Sequence, residues 1–308
     1  MGVKVFAPAS VANLAVGYDS LGLCLDGPGD EVIADLSDVP GVAIAGVYGA
    51  GGKLPTDPAK NTAGRAAQAL LEAHGDPAVG VSLRIYKRMP FGSGLGSSSA
   101  SAVAGALATN EVLRRPFPKR ELLRFAAVGE QVADGAWHVD NVAPSLLGGI
   151  VLVRDNATLD VHRLVVPNGL RVCVVHPHIQ ILTKDAREIL SPTVPLAAMV
   201  RQQSNLGGLI VGLYRGDLDL IRRSLVDEVI EPQRARLIPG FAEVKQGALD
   251  AGALGCSISG AGPSVFALCQ DELTAEAAGR AMAQAFGGVG VECDVYQSGI
   301  NAEGARLC

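Results

Sequence analysis

The spacing of hydrophobic and polar residues along the first half of the chain predicts alternating strands and helices. Alternating apolar positions, or short apolar runs, predict strands at 4–7, 31–36, 81–89 and 149–153. Helical spacing predicts helices at 62–74, at 97–113 and from Pro118 onward. Asn61 is a suitable N-cap for the first of these helices, and Gly75 is a suitable stop.

The second half continues the mixed α/β pattern after a loosely patterned stretch at 155–169. Strands are predicted at 171–176, 264–269 and 291–296. Helices are predicted at 184–190, where Thr183 would cap the start, and at 195–214, 217–230, 240–253 and 272–286. A chain of 308 residues suggests two domains, with one elaborate domain as the alternative. We expect domains at 1–165 and 166–308.

Composition and charge narrow the functional class. The chain is 48% hydrophobic and 19% charged, as expected for a sizeable core, and its net charge of −5 argues against nucleic acid as a partner. No apolar run approaches the ~18 residues of a membrane span, so we expect no membrane partner. The N-terminus lacks the apolar core of a signal peptide. The six cysteines form no C-x-x-C pair, so we expect reduced thiols and a cytoplasmic protein.

The most informative segment is PFGSGLGSSSAS, residues 90–101. It places three glycines between a predicted strand and a predicted helix that begins with small residues. Glycines let backbone N–H groups turn toward one point, and the helix adds unpaired N–H groups and its positive dipole end. This order favours a phosphate-binding loop over an ordinary turn. The Walker, G-x-G-x-x-G and G-x-S-x-G patterns are all absent from the segment.

Other polar residues are candidates for the same site. Glu130, on a predicted helix among small and apolar neighbours, is either a magnesium ligand or a solvated glutamate. His138, Asp140 and Asn141 precede a buried strand and form either part of a cleft or an Asp/Asn turn. A serine triad that uses His138 and Asp140 is disfavoured because no nucleophile elbow is present.

Three further segments carry candidate residues. Asn13 and Asp19 lie in a glycine-bearing loop after the first strand. Thr183 and Arg187 are four residues apart and share a helix face, while Arg234 lies in a proline-flanked stretch. Arginine binds a carboxylate in bidentate fashion, although on position alone both arginines are more often surface charges. SGAGPS, residues 259–264, is a second glycine-rich turn.

Together these segments resemble the GHMP family of small-molecule kinases. APASVAN…YDSLG, PFGSGLGSSSAS and SGAGPSVFAL match three of its blocks in order and span nearly the whole chain. Within the family, HVDNVAPSLLGG, TKDARE and EPQRARLIPG are most similar to segments of the homoserine kinases. Ser10 takes the place of the basic residue of mevalonate kinases and galactokinases. Ala15-Val16 departs from the Gly-Pro of the pattern, which should affect loop stiffness more than chemistry.

The resemblance implies an α+β fold of two parts, a ribosomal protein S5 domain 2-like N-terminal domain and a ferredoxin-like C-terminal domain. It implies phosphorylation of the L-homoserine hydroxyl by ATP in threonine biosynthesis. It implies magnesium at Ser98 and Glu130. The residues implied for ATP are Asn61, Pro90, Phe91, Gly92, Ser93, Gly94, Leu95, Gly96, Ser97, Ser98, Ser99, Ala100 and Ser101.

The residues implied around homoserine are Asn13, Asp19, His138, Asp140, Asn141, Thr183, Arg187 and Arg234. We favour Asn141 as the residue that orients the hydroxyl, with Asp140 as a contested base. A homodimer is expected. The alternatives are another GHMP kinase that acts on a small alcohol such as mevalonate, and a non-catalytic ligand sensor on the same fold. The absence of a basic residue at position 10 and the two arginines count against the first, and the intact loop, Ser98 and Glu130 count against the second.

Overall fold

The computed structural model describes residues 2–135 and 137–308, in which the strands form two sheets. The strands are β1 (Val3–Ala12), β2 (Leu21–Ser37), β3 (Gly41–Tyr48), β4 (Gly80–Tyr86), β5 (Ile150–Asp155), β6 (Asp160–Leu164), β7 (Arg171–Pro177), β8 (Gly255–Ile258), β9 (Val265–Cys269), β10 (Cys293–Ser298) and β11 (Arg306–Leu307). The helices are α1 (Thr62–His74), α2 (Ser97–Val112), α3 (Leu122–Asp134), α4 (Val142–Leu147), α5 (Thr183–Glu188), α6 (Leu196–Arg215), α7 (Leu218–Ser224), α8 (Glu231–Arg234), α9 (Phe241–Asp250) and α10 (Glu272–Gly288).

The larger sheet has the strand order β11-β1-β2-β4-β3, with β5 beside the start of β2 and β6 beside β5. Its pairs are antiparallel except for β3 and β4. The long strand β2 changes neighbours along its length, because residues 21–23 pair with β5 and residues 31–37 pair with β4. The chain therefore passes from one half of the sheet to the other in the middle of β2.

The smaller sheet has the order β10-β7-β9-β8, and its three pairs are antiparallel. Along the chain its elements run strand, helices, strand, strand, helix, strand, which is the ferredoxin-like order. The chain then returns to the larger sheet, where β11 pairs with β1. The expected α+β architecture is confirmed, while the division at residue 165 stays a prediction.

Helices pack against both sheets. α1 and α3 pack against α2, which itself packs on β1 and β2. Residues 99–110 of α2 are all buried, so this helix has no solvated face over most of its length. α9 and α10 pack on the smaller sheet. The half-buried first residues of α2, Ser97 and Ser98, are therefore followed directly by the larger core.

Several sequence-based boundaries differ from the structure. The sequence pattern did not predict β3, which is a half-exposed edge strand, nor the short strands β6, β8 and β11 and the short helix α4. Thr183 does not cap α5 but is its first residue, and Leu182 is the N-cap. The helix predicted at 217–230 ends at Ser224, because Asp227 accepts backbone N–H groups of residues 229–231 in a turn. Across the described ranges no helix is long and apolar enough to cross a membrane.

Candidate active site

The glycine-rich segment at residues 90–101 forms a loop that leads from β4 into α2. Gly92, Gly94 and Gly96 have φ angles of +65°, +78° and +69°, a left-handed backbone that glycine adopts at no steric cost. α2 begins at Ser97, and among the described residues no side chain caps it. The backbone N–H groups of its first turn therefore face the loop at the positive end of the helix dipole, which suits an anion.

Gly96 also allows the loop to contact two other predicted site segments. A Cβ at this position would lie 2.2 Å from Ser10 Oγ and 2.9 Å from Asn141 Oδ1. These two atoms are joined, since Ser10 Oγ donates a hydrogen bond to Asn141 Oδ1 at 2.8 Å. The loop, the first strand and the Asn141 segment thus meet at one point, and any side chain at position 96 would disturb it.

The serines of the loop are not equivalent. Ser97 and Ser101 each donate a hydroxyl hydrogen bond to Asp30 Oδ2 at 3.0 Å, so their side chains face the protein interior. Ser99 is fully buried. We therefore expect these three residues to act on a nucleotide through the backbone. Asp30 and its partner Lys87, which sequence reasoning missed, lie directly beneath the loop.

Ser98 and Glu130, the two residues predicted to bind magnesium, are hydrogen-bonded to each other. Ser98 Oγ donates to Glu130 Oε1 at 2.7 Å, and Glu130, on α3, is 7% exposed. A hydroxyl and a carboxylate beside an anion-binding helix start are the oxygen ligands that magnesium takes together with a nucleotide. The donor set of this chain therefore fits the ion.

The other residues assigned to the nucleotide support the loop or lie at its surface. Leu95 and Ala100 are fully buried, whereas Phe91 is 57% exposed. Asn61 caps α1, because its Oδ1 accepts from Ala63 N at 3.1 Å. Its Nδ2 donates to the Pro55 carbonyl in the preceding loop at 2.9 Å. Its side-chain polar groups thus have protein partners, and its contact with ATP stays a prediction.

A strained loop presents the first acidic residue of the site. Asn13, Leu14 and Ala15 all have positive φ angles, as does Asp19, although none is glycine. Such backbone costs free energy and is held only by surrounding contacts. Here Asn13 Oδ1 accepts from Asp19 N at 3.0 Å, while Asn13 Nδ2 donates to the Gly260 carbonyl at 2.9 Å. Asn13 therefore shapes the loop that carries Asp19.

Asp19 lies beside the segment that precedes α4. The ligand atoms of Asp19, His138 and Asp140 all lie within 4.8 Å of one another, and His138 Nδ1 is 3.0 Å from Asp140 Oδ1. Asn156, which sequence reasoning missed, joins the two segments: its Nδ2 donates to the Asp19 carbonyl and its Oδ1 accepts from Val139 N. The cluster presents two carboxylates and an imidazole, with Asp140 almost fully buried.

The two predicted arginines converge on the same place. Arg187 binds the Asp19 carboxylate with both Nη atoms, at 2.9 and 3.2 Å. Arg234 is 3% exposed and donates to the carbonyls of Ala186 and Gly260, each at 2.9 Å. Burial lowers the pKa of the Arg234 guanidinium and raises that of the Tyr18 phenol.

Tyr18 lies between the two arginines and was also missed. Its ring centroid is 5.7 Å from the Arg187 guanidinium carbon and 5.1 Å from that of Arg234. An aromatic face attracts cations, so one ring holds two like charges close together. The signal available in the sequence was an aromatic residue directly before Asp19.

Two more elements complete the site. A cavity of about 260 Å³ opens beside α5 and is lined by Thr183, Lys184, Arg187 and Glu188. The turn at 259–264 links both halves of the molecule, because Ser259 Oγ donates to the Gly94 carbonyl at 2.7 Å while the Gly260 carbonyl accepts from Asn13 and Arg234. The second glycine-rich turn therefore connects the loop to Arg234.

An anion-suited loop beside a cluster of two arginines and two carboxylates suits an enzyme that takes a phosphorylated co-substrate and a small zwitterion. Residues 61–149 match the family model "GHMP kinases N terminal domain", and residues 209–288 match "GHMP kinases C terminal". A homoserine kinase of Chlorobium phaeovibrioides is 47% identical over 99% of both chains. A crystal structure of homoserine kinase from Cytophaga hutchinsonii is 48% identical, with a TM-score of 0.97 over 100% of this chain and 97% of that one. A mevalonate kinase from L. major in complex with R-mevalonate shares the fold, at 18% identity and a TM-score of 0.70 over 96% of each chain.

The chain therefore belongs to the homoserine kinases of the GHMP kinase family.

Proposed function

We propose that this chain transfers the γ-phosphoryl group of ATP to the side-chain hydroxyl of L-homoserine, which gives ADP and O-phospho-L-homoserine, a step in threonine biosynthesis. One observation carries the proposal beyond family membership. Asn141 is hydrogen-bonded to Ser10 at the phosphate loop, while the adjacent Asp140 faces the group of Asp19 and Arg187. A substrate held by the charged group would therefore present its far end to the loop.

The nucleotide phosphates would lie along residues 92–98, held by backbone N–H groups and the α2 dipole. Magnesium bound with ATP would be held by Ser98 and Glu130, where it would neutralise charge on the phosphate oxygens. Phosphoryl transfer depends mainly on alignment and charge stabilisation. The loop and the Ser98–Glu130 pair supply both without a covalent intermediate.

The charges of the cleft match the two ends of an amino acid. Arg187 and Arg234 would bind the homoserine carboxylate, since guanidinium groups bind carboxylates in bidentate fashion. Asp19 and Asp140 offer oxygens to the ammonium group, and Asn13, His138 and Thr183 would complete the surroundings of the substrate. Asp19 already pairs with Arg187, so substrate binding would rearrange an existing ion pair rather than meet a bare charge.

The alcohol proton has two candidate routes. Asn141 Oδ1 already accepts a hydrogen bond from the Ser10 hydroxyl. Asn141 Nδ2 is therefore the group that would donate to the substrate oxygen and orient it toward the phosphate. Asp140 is the alternative base, and its carboxylate is already engaged by His138 at 3.0 Å. We favour orientation by Asn141, with the proton passing to the transferred phosphate.

We further propose two domains at 1–165 and 166–308, a cytoplasmic location and a homodimer. The dimer is supported by one face of α6, along which Leu196, Val200, Val211 and Tyr214 are exposed at helical spacing. Light scattering of the purified chain tests it: a dimer mass that Val200→Glu converts to a monomer mass is expected, and a monomeric wild type would contradict it.

The activity is tested by the product. The chain is incubated with Mg-ATP and L-homoserine and followed by phosphorus NMR and mass spectrometry. We expect one phosphomonoester per ADP, with the phosphorus coupled to the side-chain CH₂ of homoserine. ADP accompanied only by inorganic phosphate, or no turnover at all, would contradict the proposal, and the second outcome would favour a ligand sensor.

A further inference from the structure

A carboxylate and an ammonium group occupy core positions beneath the phosphate loop. On β2 the side chains of Asp30, Val32 and Ala34 alternate onto the fully buried face. On β4 the same face carries Val81, Leu83 and Ile85, and Lys87 is the next position in this alternation. The register pairs Val32 with Ile85 and Glu31 with Tyr86, which brings Asp30 opposite Lys87. At the end of β4, two charged residues therefore face each other at positions where the alternation would place an apolar pair.

Asp30 accepts hydrogen bonds from both ends of the loop. Its Oδ1 accepts from Arg88 N at 2.9 Å, just before the loop begins. Its Oδ2 accepts the hydroxyls of Ser97 and Ser101 at 3.0 Å, where the loop enters α2, and also contacts Lys87 Nζ. One carboxylate, none of it exposed, therefore joins residues 88 and 97 across the base of the loop.

Lys87 completes this arrangement and has no donor left for a nucleotide. An ammonium group has three donors. Lys87 Nζ contacts Asp30 Oδ2, donates to the Ser97 carbonyl at 2.8 Å and donates to Ser101 Oγ at 2.7 Å. All three partners are protein groups, namely Asp30 on β2 and Ser97 and Ser101 in the first turns of α2, so the lysine acts on the protein rather than on phosphate.

Burying two charges is expensive, and a well-packed apolar pair is often as stable or more so. A buried ion pair is therefore weak support for a purely stabilising role. The pair can instead orient the two ends of the loop, because its charge-assisted hydrogen bonds hold the Arg88 backbone N–H and the Ser97 and Ser101 hydroxyls in place. An apolar pair could not form these bonds.

We propose that Asp30, together with Lys87, is a positioning residue for phosphoryl transfer. The pair fixes the separation of residues 88 and 97 and so sets the curvature with which the loop amides surround the phosphates. This inference rests on the proposed function, because it assumes that residues 92–98 bind ATP.

The test uses the full chain and three variants. Asp30→Asn keeps the shape of the side chain and removes its charge. Asp30→Asn combined with Lys87→Met removes both charges, so that no lone charge stays buried if the single variant folds poorly. Asp35→Asn is the matched control, because Asp35 joins the same two strands through a half-exposed ion pair with Arg84 at 2.8 Å, away from the loop.

The readouts separate positioning from stability. They are ATP affinity by calorimetry, KM for ATP and for homoserine, hydrogen exchange of the amides at 88–101, and the thermal midpoint. We expect both Asp30 variants to bind ATP more weakly, with KM for ATP raised about tenfold or more, and to have a lower kcat, since misplacement by about 1 Å can cost on the order of a hundredfold in rate. Loop amides should exchange faster, KM for homoserine should change little, and Asp35→Asn should resemble wild type.

Three outcomes would overturn the inference. The first is a lowered thermal midpoint with unchanged ATP affinity and loop exchange, which would make the pair merely structural. The second is an Asp30→Asn variant that binds ATP like wild type while only the double variant loses ATP affinity. That result would mean that Lys87 itself contacts the nucleotide. The third is ATP affinity lost equally in Asp35→Asn. A wild type that fails to bind ATP would instead refute the proposed function.

Discussion

At the scale of single residues, the two arginines of the site differ in how firmly they are held. Arg234 is buried and donates from Nε and Nη1 to two backbone carbonyls, with Nη2 3.5 Å from the Tyr18 hydroxyl. Arg187 is partly exposed, and in the site its guanidinium binds the carboxylate of Asp19. Arg234 is thus a fixed anchor, whereas Arg187 can exchange its partner for the substrate carboxylate.

Arg234→Leu should lower kcat/KM for homoserine by a factor equivalent to about 2–4 kcal/mol while ATP affinity stays nearly intact, because one charge-assisted contact is lost. Arg236→Leu is the matched control, since Arg236 lies two positions on and bonds the Ile189 carbonyl at the surface.

The same variant should lose far less activity toward 3-aminopropan-1-ol, which is homoserine without its carboxylate. Steady-state kinetics with both substrates measures this. If wild type phosphorylates the analogue as well as homoserine, the arginines do not bind the carboxylate.

Glu130→Gln should reduce kcat by about a hundredfold or more, because aligned charge stabilisation is commonly worth that much. The magnesium concentration for half-maximal rate should also rise. Glu121→Gln, on an exposed ion pair with Arg124, should leave both quantities unchanged. A wild-type rate with wild-type magnesium dependence in Glu130→Gln would remove this residue from the metal site.

At the scale of elements, the loop and α2 could be predicted because their signals are contiguous. Three glycines, small residues and an unbroken helix occupy one stretch, and each acts through local backbone preference. The length of β2 and the role of Asp30 could not be predicted in the same way, because they depend on strand register between residues 57 positions apart. The sequence does contain one signal for Lys87, because a lysine follows the alternating apolar residues Val81, Leu83 and Ile85 at a position that predicts burial. This signal was not used in the sequence-based prediction.

Gly96→Ala should weaken ATP binding and activity, because a Cβ would press on the Ser10–Asn141 hydrogen bond as well as strain a left-handed backbone. Gly75→Ala separates the two causes, since Gly75 has a φ of +82° and open space around its Cβ position. Calorimetry with ATP on both variants is the measurement. Equal, small effects in the two would show that Gly96 matters only for backbone strain.

At the scale of the whole molecule, the site lies where the two sheets meet. The turn at 259–264 contacts the glycine-rich loop, and Gln202 of α6 donates to the Val16 carbonyl, in the loop between β1 and β2, at 3.4 Å. The family resemblance identified the segments involved, and the sequence order suggested two halves. Composition and periodicity alone could not bring Asn13 to Gly260 or Tyr18 to Arg234, because those contacts arise only when the halves pack.

Acid should destabilise the molecule through His176, at the end of β7. Burial lowers the pKa of this imidazole below its ordinary value of 6.5, and its Nδ1 lies 3.3 Å from Ser264 Oγ. Stability linked to the neutral ring is present above pH 6.5 and is lost as the pH falls through the native pKa. In His176→Gln the thermal midpoint should fall less as the pH is lowered below 6.5. His162→Gln, at an exposed site, should show the same fall as wild type. Parallel profiles for wild type and His176→Gln would contradict the assignment.

The most direct test of the central claim is kcat/KM with Mg-ATP for a panel of L-homoserine, L-threonine, L-serine, mevalonate and galactose, measured by ADP release. The account predicts that homoserine is preferred by at least about a hundredfold over mevalonate and galactose, since two arginines and two carboxylates would lack their partners in substrates without both charges. Equal or better turnover of mevalonate or galactose would contradict it.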